Sequence, residues 1–479
     1  MRNLCRNTLD ELGYNGYLNT SSEEKILQIG DGNFLRGFAD YMFDVCCEKG
    51  LWNGKIAVVQ PVSKGKHYIY EKQDGLYTLY TKGILSGKKI SEKRIISSIS
   101  RCLDFHDYRE EIYDIVKSDS LEYIISNTTE AGIVYDQNCK FEDEIPKTFP
   151  AKLTKMLYCR YKAGCNGVII LSCELIDKNG DALKDIMLKH VDDWQLGNEF
   201  ATWLNQDNLV LNTLVDRIVP GGITDDTERK ILEKENGYVD QLGVSTEVFY
   251  SWVIEGPDQL KERLPMIKAG MNVKIVDDIT PYKQRKVRIL NGAHTGICLG
   301  SYLAGEEIVR DSVNNSIIGE FLNKMIKEEI VETLDFPRKE LIEFADIVIE
   351  RFKNPYIDHK LLSIALNSTS KWKARNLPSL LKYVELTNKL PRALTMSLAF
   401  YIEFYRRMNS TVKDDEWVIE FFKEHANTPL EQMAEEVLGN IKMWGMDLNE
   451  IPGLTSSIKE NLKIISENGP IEAMKSCCF

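Results

Sequence analysis

Lys286, Asn291 and His294 are polar side chains on a stretch that otherwise reads as a buried helix. From Val287 to Leu303 the chain is mostly apolar. Asn291 and His294 lie three residues apart and so share one side, with Lys286 about a turn and a half earlier. A lysine buried beside other cations, here Lys283, Arg285 and Arg288, has its ammonium form destabilised and becomes a usable general base. An asparagine amide can donate to a developing alkoxide, and an imidazole can orient the reacting oxygen. On spacing alone a second account stands beside this one: a satisfied Asn–His pair in a core, with a lysine whose head reaches solvent.

A second chemical signal lies near the start of the chain. Lys25 to Gly30 reads as a strand, and Gly30-Asp31-Gly32-Asn33-Phe34-Leu35 leads from it into a helix. Glycines at the first and third places allow a tight turn and close backbone approach to a pyrophosphate, which the free N–H groups of the helix start would hold. Leu35 stands where G-x-G-x-x-G has its last glycine, so a plain β-α turn also fits. The next strand ends in Gln60, at the place where an acid usually holds the ribose of NAD; Ser63, Lys64 and Lys66 follow and could take a 2′-phosphate. NAD is the expected cofactor, with NADP left open. Asn127 and Thr128 follow another strand and are expected to face the cofactor.

These residues need a frame. Strands at 25–30, 55–60, 121–126 and 166–173 alternate with helices at 33–48 and 181–190, the pattern of parallel β-α-β units in an open α/β sheet. His67 to Gly83 looks like an inserted hairpin. After about residue 230 the periodicity turns helical, at 286–304, 311–333, 338–352, 377–387, 391–408 and 415–425, with one short strand at 273–276. The expected fold class is therefore α/β plus all-α: a dinucleotide-binding domain over 1–225 and a helical catalytic domain over 226–479. Val219-Pro220-Gly221-Gly222 serves as linker, and the cleft between the halves is the expected small-molecule site. The last hundred residues carry no chemical motif and read as packing helices.

Composition excludes several classes. The 479 residues carry 60 Lys+Arg against 72 Asp+Glu, a net charge of −12, which argues against a nucleic-acid partner. No apolar run is long enough to span a membrane, and the first residues lack the apolar core of a signal peptide. Eleven scattered cysteines without a C-x-x-C pair suit reduced thiols in the cytoplasm, and six dispersed histidines argue against a metal. A monomer or small homo-oligomer is expected.

The segment Lys286-x4-Asn291-x2-His294 resembles the catalytic motif of the mannitol dehydrogenase family, the polyol-specific long-chain dehydrogenases. Gly30-Asp31-Gly32-Asn33-Phe34-Leu35-Arg36 is similar to that family's G-x-G-x-F-x-R loop, which accounts for the missing glycine. Val215-Asp216-Arg217-Ile218-Val219-Pro220 resembles its V-D-R-I-x-P signature, and Ser172-Cys173-Glu174 with Asn179-Gly180 its S-C-(D/E)…N-G segment. The runs Ser126 to Ile133, Val276 to Ile279 and Asn367 to Arg375 resemble the branch acting on sugar acids. The resemblance implies a Rossmann-type domain, a helical C-terminal domain, NAD(H) and no metal. It also implies hydride transfer between a hexuronate ketone and its hexonate alcohol, with D-tagaturonate and D-altronate as the expected pair. The fructuronate–mannonate pair, a mannitol-type polyol, and a non-catalytic dinucleotide-binding sensor are the alternatives.

Residue roles follow from the same resemblance. Lys286 is the acid/base, Asn291 and Asn179 stabilise the oxyanion, and His294 orients the oxygen. Asp216 holds a substrate hydroxyl, or serves structurally with Arg217. Mannitol-type members resemble one another in a glutamate three residues before the lysine; here that residue is Lys283, a charge reversal that suits an anionic substrate. His359, Lys371, Lys373 and Arg375 would usually be a solvated basic face. With the resemblance they become candidates for the substrate carboxylate, Arg375 foremost because of its forked geometry.

Overall fold

The computed structural model describes residues 2–60, 67–129, 131–407 and 412–478. Ser63, Lys64 and Lys66, the candidates for a 2′-phosphate, therefore lie outside the described residues. The chain divides into two units, Met1–Lys82 with Lys89–Ile279, and Gly83–Lys88 with Thr280–Phe479.

In the first unit, short apolar strands alternate with helices and pair in parallel into a six-stranded sheet. Its spatial order is Ile99–Asp104, Lys55–Gln60, Glu24–Ile29, Tyr123–Ser126, Ile169–Ser172, Leu209–Leu211. This is the doubly wound order of a Rossmann sheet, in which the chain reverses its direction of travel beside the first strand. Alternate residues of each strand feed separate cores on the two faces. Ile26, Val58, Ile125 and Ile169 lie on one side, and Leu27, Val59, Ile124 and Ile170 on the other.

Several sequence expectations shift. The helix expected over 33–48 is two helices, Asn33–Arg36 and Ala39–Glu48. The carbonyl of Gly37, which would continue the ladder, accepts from Arg217 Nη1 at 2.6 Å. A Cβ on Gly37 would also stand 2.6 Å from Thr246 Cγ2. The hairpin expected over 67–83 begins with a helix, His67–Lys72, and its strands are Tyr77–Leu85 and Lys88–Ile96.

The boundary expected at 225/226 falls instead at 279/280. Residues 226–279 pair back into the first unit: Ser251–Glu255 runs antiparallel to Thr213–Asp216 and parallel to Val273–Val276, while Val244–Thr246 joins Tyr77–Leu85. The supposed linker glycines are a strand as well, since Gly221 and Gly222 pair with Ser245 and Val244.

The second unit is helical. At its centre lies Arg392–Arg406, buried from Ala393 through Tyr405. Gly292–Leu303 packs against it, and Gly300 permits the approach: a Cβ there would stand 2.6 Å from Phe400 Cδ2. The helices expected at 338–352 and 377–387 are found at those bounds. Among the described residues no helix is long and apolar enough to cross a membrane.

Candidate active site

At the carboxyl end of the first strand, Gly30 adopts φ +117°, a conformation that strains other residues, and a Cβ there would press on Asn127 O at 3.2 Å. Gln28 Nε2 holds the Gly30 carbonyl at 3.1 Å. Arg36, the arginine of the loop signature, is buried and donates to Leu242 O and Asn33 Oδ1, so it braces the loop from beneath. By contrast Gly32 faces open space, with no atom within 4 Å of where its Cβ would stand. That exposed backbone, opening the Asn33–Arg36 turn, is what a pyrophosphate needs. Gln60 ends the second strand as expected, and its Nε2 donates to Asp31 Oδ2 at 2.6 Å.

Beside the loop, where the winding reverses, Phe34, Asn127, Thr129, Leu175 and Val215 line a mainly apolar pocket of 320 Å³. Asn127 lines that pocket, its Nδ2 pinned to Cys173 O at 2.6 Å. Thr128 does not line the pocket: its N–H and hydroxyl both donate to buried Glu174 Oε1, at 3.0 Å each. Asn179 is a further correction. Its Nδ2 donates to Ser172 O, Glu174 O and Thr213 O, and its Oδ1 accepts from the N–H groups of Gly180 and Thr213. A buried amide so fully used staples strand ends together and has nothing left for an oxyanion.

The sequence reading missed Thr129, Leu175 and Val215. Thr129 holds φ +73°, a strained value at the pocket wall, and Leu175 is 63% exposed there. Asp216 lies next to Val215 at the end of its strand and is buried. Arg217 donates to Gly37 O and Glu247 O and stacks on Tyr41 and Tyr250, a structural role separate from Asp216.

In the second unit, Thr280–Arg285 carries Lys283 and runs straight into Lys286–Asn291, which is a π-helical turn; the α-helix resumes at Gly292–Leu303. This changes the geometry read from sequence. In an α-helix Lys286 and Asn291 would lie about 140° apart around the axis. With i→i+5 bonding they stand about one turn apart, so both fall on one side together with His294. Two of the neighbouring cations are occupied elsewhere. Arg285 is enclosed by the rings of Tyr282, Phe336 and Phe344, and Arg288 donates to Ser379 Oγ at 3.2 Å.

His294 stacks on Phe352, with centroids 4.1 Å apart, and meets His359 edge to face at 5.0 Å. Burial, followed by the nearby charges of His359, Arg351 and Arg375, holds its pKa well below the ordinary value, so the ring is neutral at pH 7. Burial and then Lys371 lower His359, burial and then Arg375 lower Lys371, and burial lowers Arg375. Arg375 Nη1 also donates to Thr295 Oγ1 at 3.1 Å, and Lys371 Nζ to Ile364 O at 2.9 Å. Lys371 and Arg375 of the basic run are thus half-buried cations near the lysine helix, with a neutral His359 next to them, while Lys373 lies by Gly445. Arg351, a further cation beside His294, was not foreseen. Its signal was an arginine on the buried face of 338–352, where the helical period calls for an apolar residue.

Comparison with known proteins agrees with both halves of this arrangement. Residues 24–268 match the model of the mannitol dehydrogenase Rossmann domain, and 278–466 that of the mannitol dehydrogenase C-terminal domain. An altronate oxidoreductase of Bacillus subtilis (strain 168) is 44% identical over 468 residues, covering 96% of each chain. One of Yersinia enterocolitica is 40% identical over 464 residues, covering 94% of this chain and 96% of that one. Among solved structures, a substrate-free D-sorbitol dehydrogenase shares the fold with TM-score 0.82 at 23% identity, over 98% of this chain and all of that one. Mannitol 2-dehydrogenase of Pseudomonas fluorescens, solved with NAD and D-mannitol, does so with TM-score 0.70 at 21% identity, over 99% of each chain. With a glycine loop at a Rossmann switch point, a Lys–Asn–His face on the helical unit and both domain models matched in order, the chain belongs to the mannitol dehydrogenase family.

Proposed function

We propose that this protein is an NAD(H)-dependent oxidoreductase that interconverts a hexuronate ketone and its hexonate alcohol, with D-tagaturonate and D-altronate as the pair. The observation that carries the substrate class is the pair of half-buried cations Lys371 and Arg375 beside the lysine helix, with a neutral His359 next to them. Half-buried cations crowded together are costly, and a carboxylate relieves that cost by pairing with them. The altronate oxidoreductases among the relatives support the same reading.

The first unit fits a dinucleotide. Gly32 leaves room for a pyrophosphate, and the apolar pocket beyond Phe34 suits a nicotinamide ring. The Asp31 carboxylate, held against Gln60 at the ribose edge, repels a 2′-phosphate, which favours NAD over NADP. When bound, the cofactor supplies or accepts the hydride.

The remaining chemistry belongs to side chains. Lys286 takes the hydroxyl proton on oxidation and returns it to the ketone oxygen on reduction. The Asn291 amide donates to that oxygen as negative charge grows, and neutral His294, its ring fixed by Phe352 and His359, orients it. Arg375, seconded by Lys371 and His359, holds the carboxylate. Lys283, one turn before Lys286, adds positive charge where an acid would repel the substrate. The eleven free thiols suit a reducing compartment, and we place the enzyme in the cytoplasm as a monomer or small homo-oligomer.

Replacing Lys286 with Ala tests the acid/base assignment. We expect kcat to fall by about 100-fold or more while the NADH dissociation constant stays within about threefold. Near-normal turnover in that variant would refute it.

A further inference from the structure

The π turn that brings Lys286 into line with Asn291 is held by a strap ninety residues further along the chain. Three residues spanning 375–379 donate to or accept from the lysine helix at successive turns. Arg288 Nη1 donates to Ser379 Oγ at 3.2 Å, Asn376 Nδ2 to Gly292 O at 3.2 Å, and Arg375 Nη1 to Thr295 Oγ1 at 3.1 Å.

Asn376 sits at the centre of this strap. It is fully buried, and its own backbone is fixed: its N–H donates to Trp372 O, and its carbonyl accepts from the N–H groups of Ser379 and Leu380. The carbonyl it grips belongs to Gly292, the residue at which π bonding gives way to α bonding. At such a junction the regular ladder is interrupted, and the Gly292 N–H is itself shared between Ile289 O and Val287 O. Gly296 makes room for the grip, whereas a Cβ on Gly292 would meet only ordinary contacts. A Cβ on Gly292 would stand 3.5 Å from Asn376 Oδ1, and one on Gly296 would stand 3.2 Å from Asn376 Nδ2 and 2.5 Å from Met325 Sδ.

We propose that Asn376 is a positioning residue for the reaction: by holding Gly292 O it keeps the π turn in register and so keeps Lys286 above Asn291. Ser379, through Arg288, secures the N-terminal half of the same turn. The inference rests on the assignment of Lys286 as the acid/base. Without the strap the segment relaxes toward α geometry, which rotates Lys286 away from the side shared by Asn291 and His294. The effect is on the chemical step and its proton transfer, and not on binding of the dinucleotide.

The test compares Asn376→Ala, Ser379→Ala and Lys286→Ala with the unaltered enzyme. The readouts are kcat and KM for tagaturonate, the pH profile of kcat, the NADH dissociation constant and Tm. We expect Asn376→Ala to lower kcat by about 10- to 100-fold with KM within about threefold, as misplacement of a reacting group does. The ionisation limb of its pH profile should move, and NADH affinity should not. Ser379→Ala should change kcat and the pH limb in the same direction by a few fold. If Asn376→Ala and Ser379→Ala keep the kcat and pH profile of the unaltered enzyme and lose only Tm, Asn376 is a packing residue and the proposal fails. Should Asn376→Ala not fold, the pH limb of Ser379→Ala decides alone: a moved limb upholds the strap and an unmoved one refutes it. An active Lys286→Ala would overturn the acid/base assignment instead, and the proposal with it.

Discussion

In the function we propose, Asp31 and Gln60 carry the cofactor preference in two side chains. Gln60 was legible from sequence as the residue ending the second strand, but its partner was not, because the 2.6 Å contact to Asp31 joins positions 29 residues apart. Removing the carboxylate takes away the negative charge that opposes a 2′-phosphate. Asp31→Ala should therefore raise kcat/KM with NADPH relative to NADH by about tenfold, or about 1.4 kcal/mol. An unchanged cofactor ratio would mean that selection rests elsewhere. Asn179 and Thr128 teach the converse. Their motifs were read at the right positions, yet both side chains turn inward, toward Ser172, Glu174 and Thr213. Local sequence gave no sign of that direction, because it depends on which strands end beside them.

Among elements, the strands and the amphipathic helices could be read, because period two and period 3.6 are properties of the local chain. The π turn could not. Lys286–Asn291 reads as ordinary helix, and the contacts bracing it come from 375–379. The start of the central helix Arg392–Arg406 is a similar case. Pro391 at its N-cap offers no side-chain acceptor, and the free N–H groups of Ala393 and Leu394 are met by Glu329 at 2.7 and 2.8 Å. Glu329 is 3% exposed, and burial raises its pKa to about 7 against the pull of those two N–H groups. A carboxyl whose folded pKa lies above its unfolded one contributes stability that is full below the unfolded value, near 4.5, and is lost as pH rises through about 7. Glu329→Gln has no such titration. From pH 5 to pH 7.5 its unfolding free energy should gain on that of the unaltered protein by an amount of order 1–3 kcal/mol, read by denaturant titration at several pH values. A gap that moves the other way would mean that the two hydrogen bonds outweigh burial.

At the scale of the whole chain, a Rossmann unit followed by a helical unit was legible from the switch in periodicity, and the domain models agree. The boundary was not. Pro220-Gly221-Gly222 has the composition of a linker, but the strands at 244–246, 251–255 and 273–276 belong with the first unit, and only long-range pairing reveals that. Charge tells a comparable story. A chain of net charge −12 sets Arg351 and Arg375 beside His294 and Lys371 beside His359, and the hexuronate substrate we propose would pair with that local positive charge. The most direct test follows NADH oxidation by the purified enzyme with tagaturonate, fructuronate and fructose in parallel. We predict a kcat/KM for tagaturonate at least about 100-fold above that for fructose, as expected when a buried charge pair is made or left unmade, with fructuronate the slower of the two acids. Fructose turned over as well as either acid would contradict the carboxylate reading, and silence with all three would contradict the catalytic reading of Lys286.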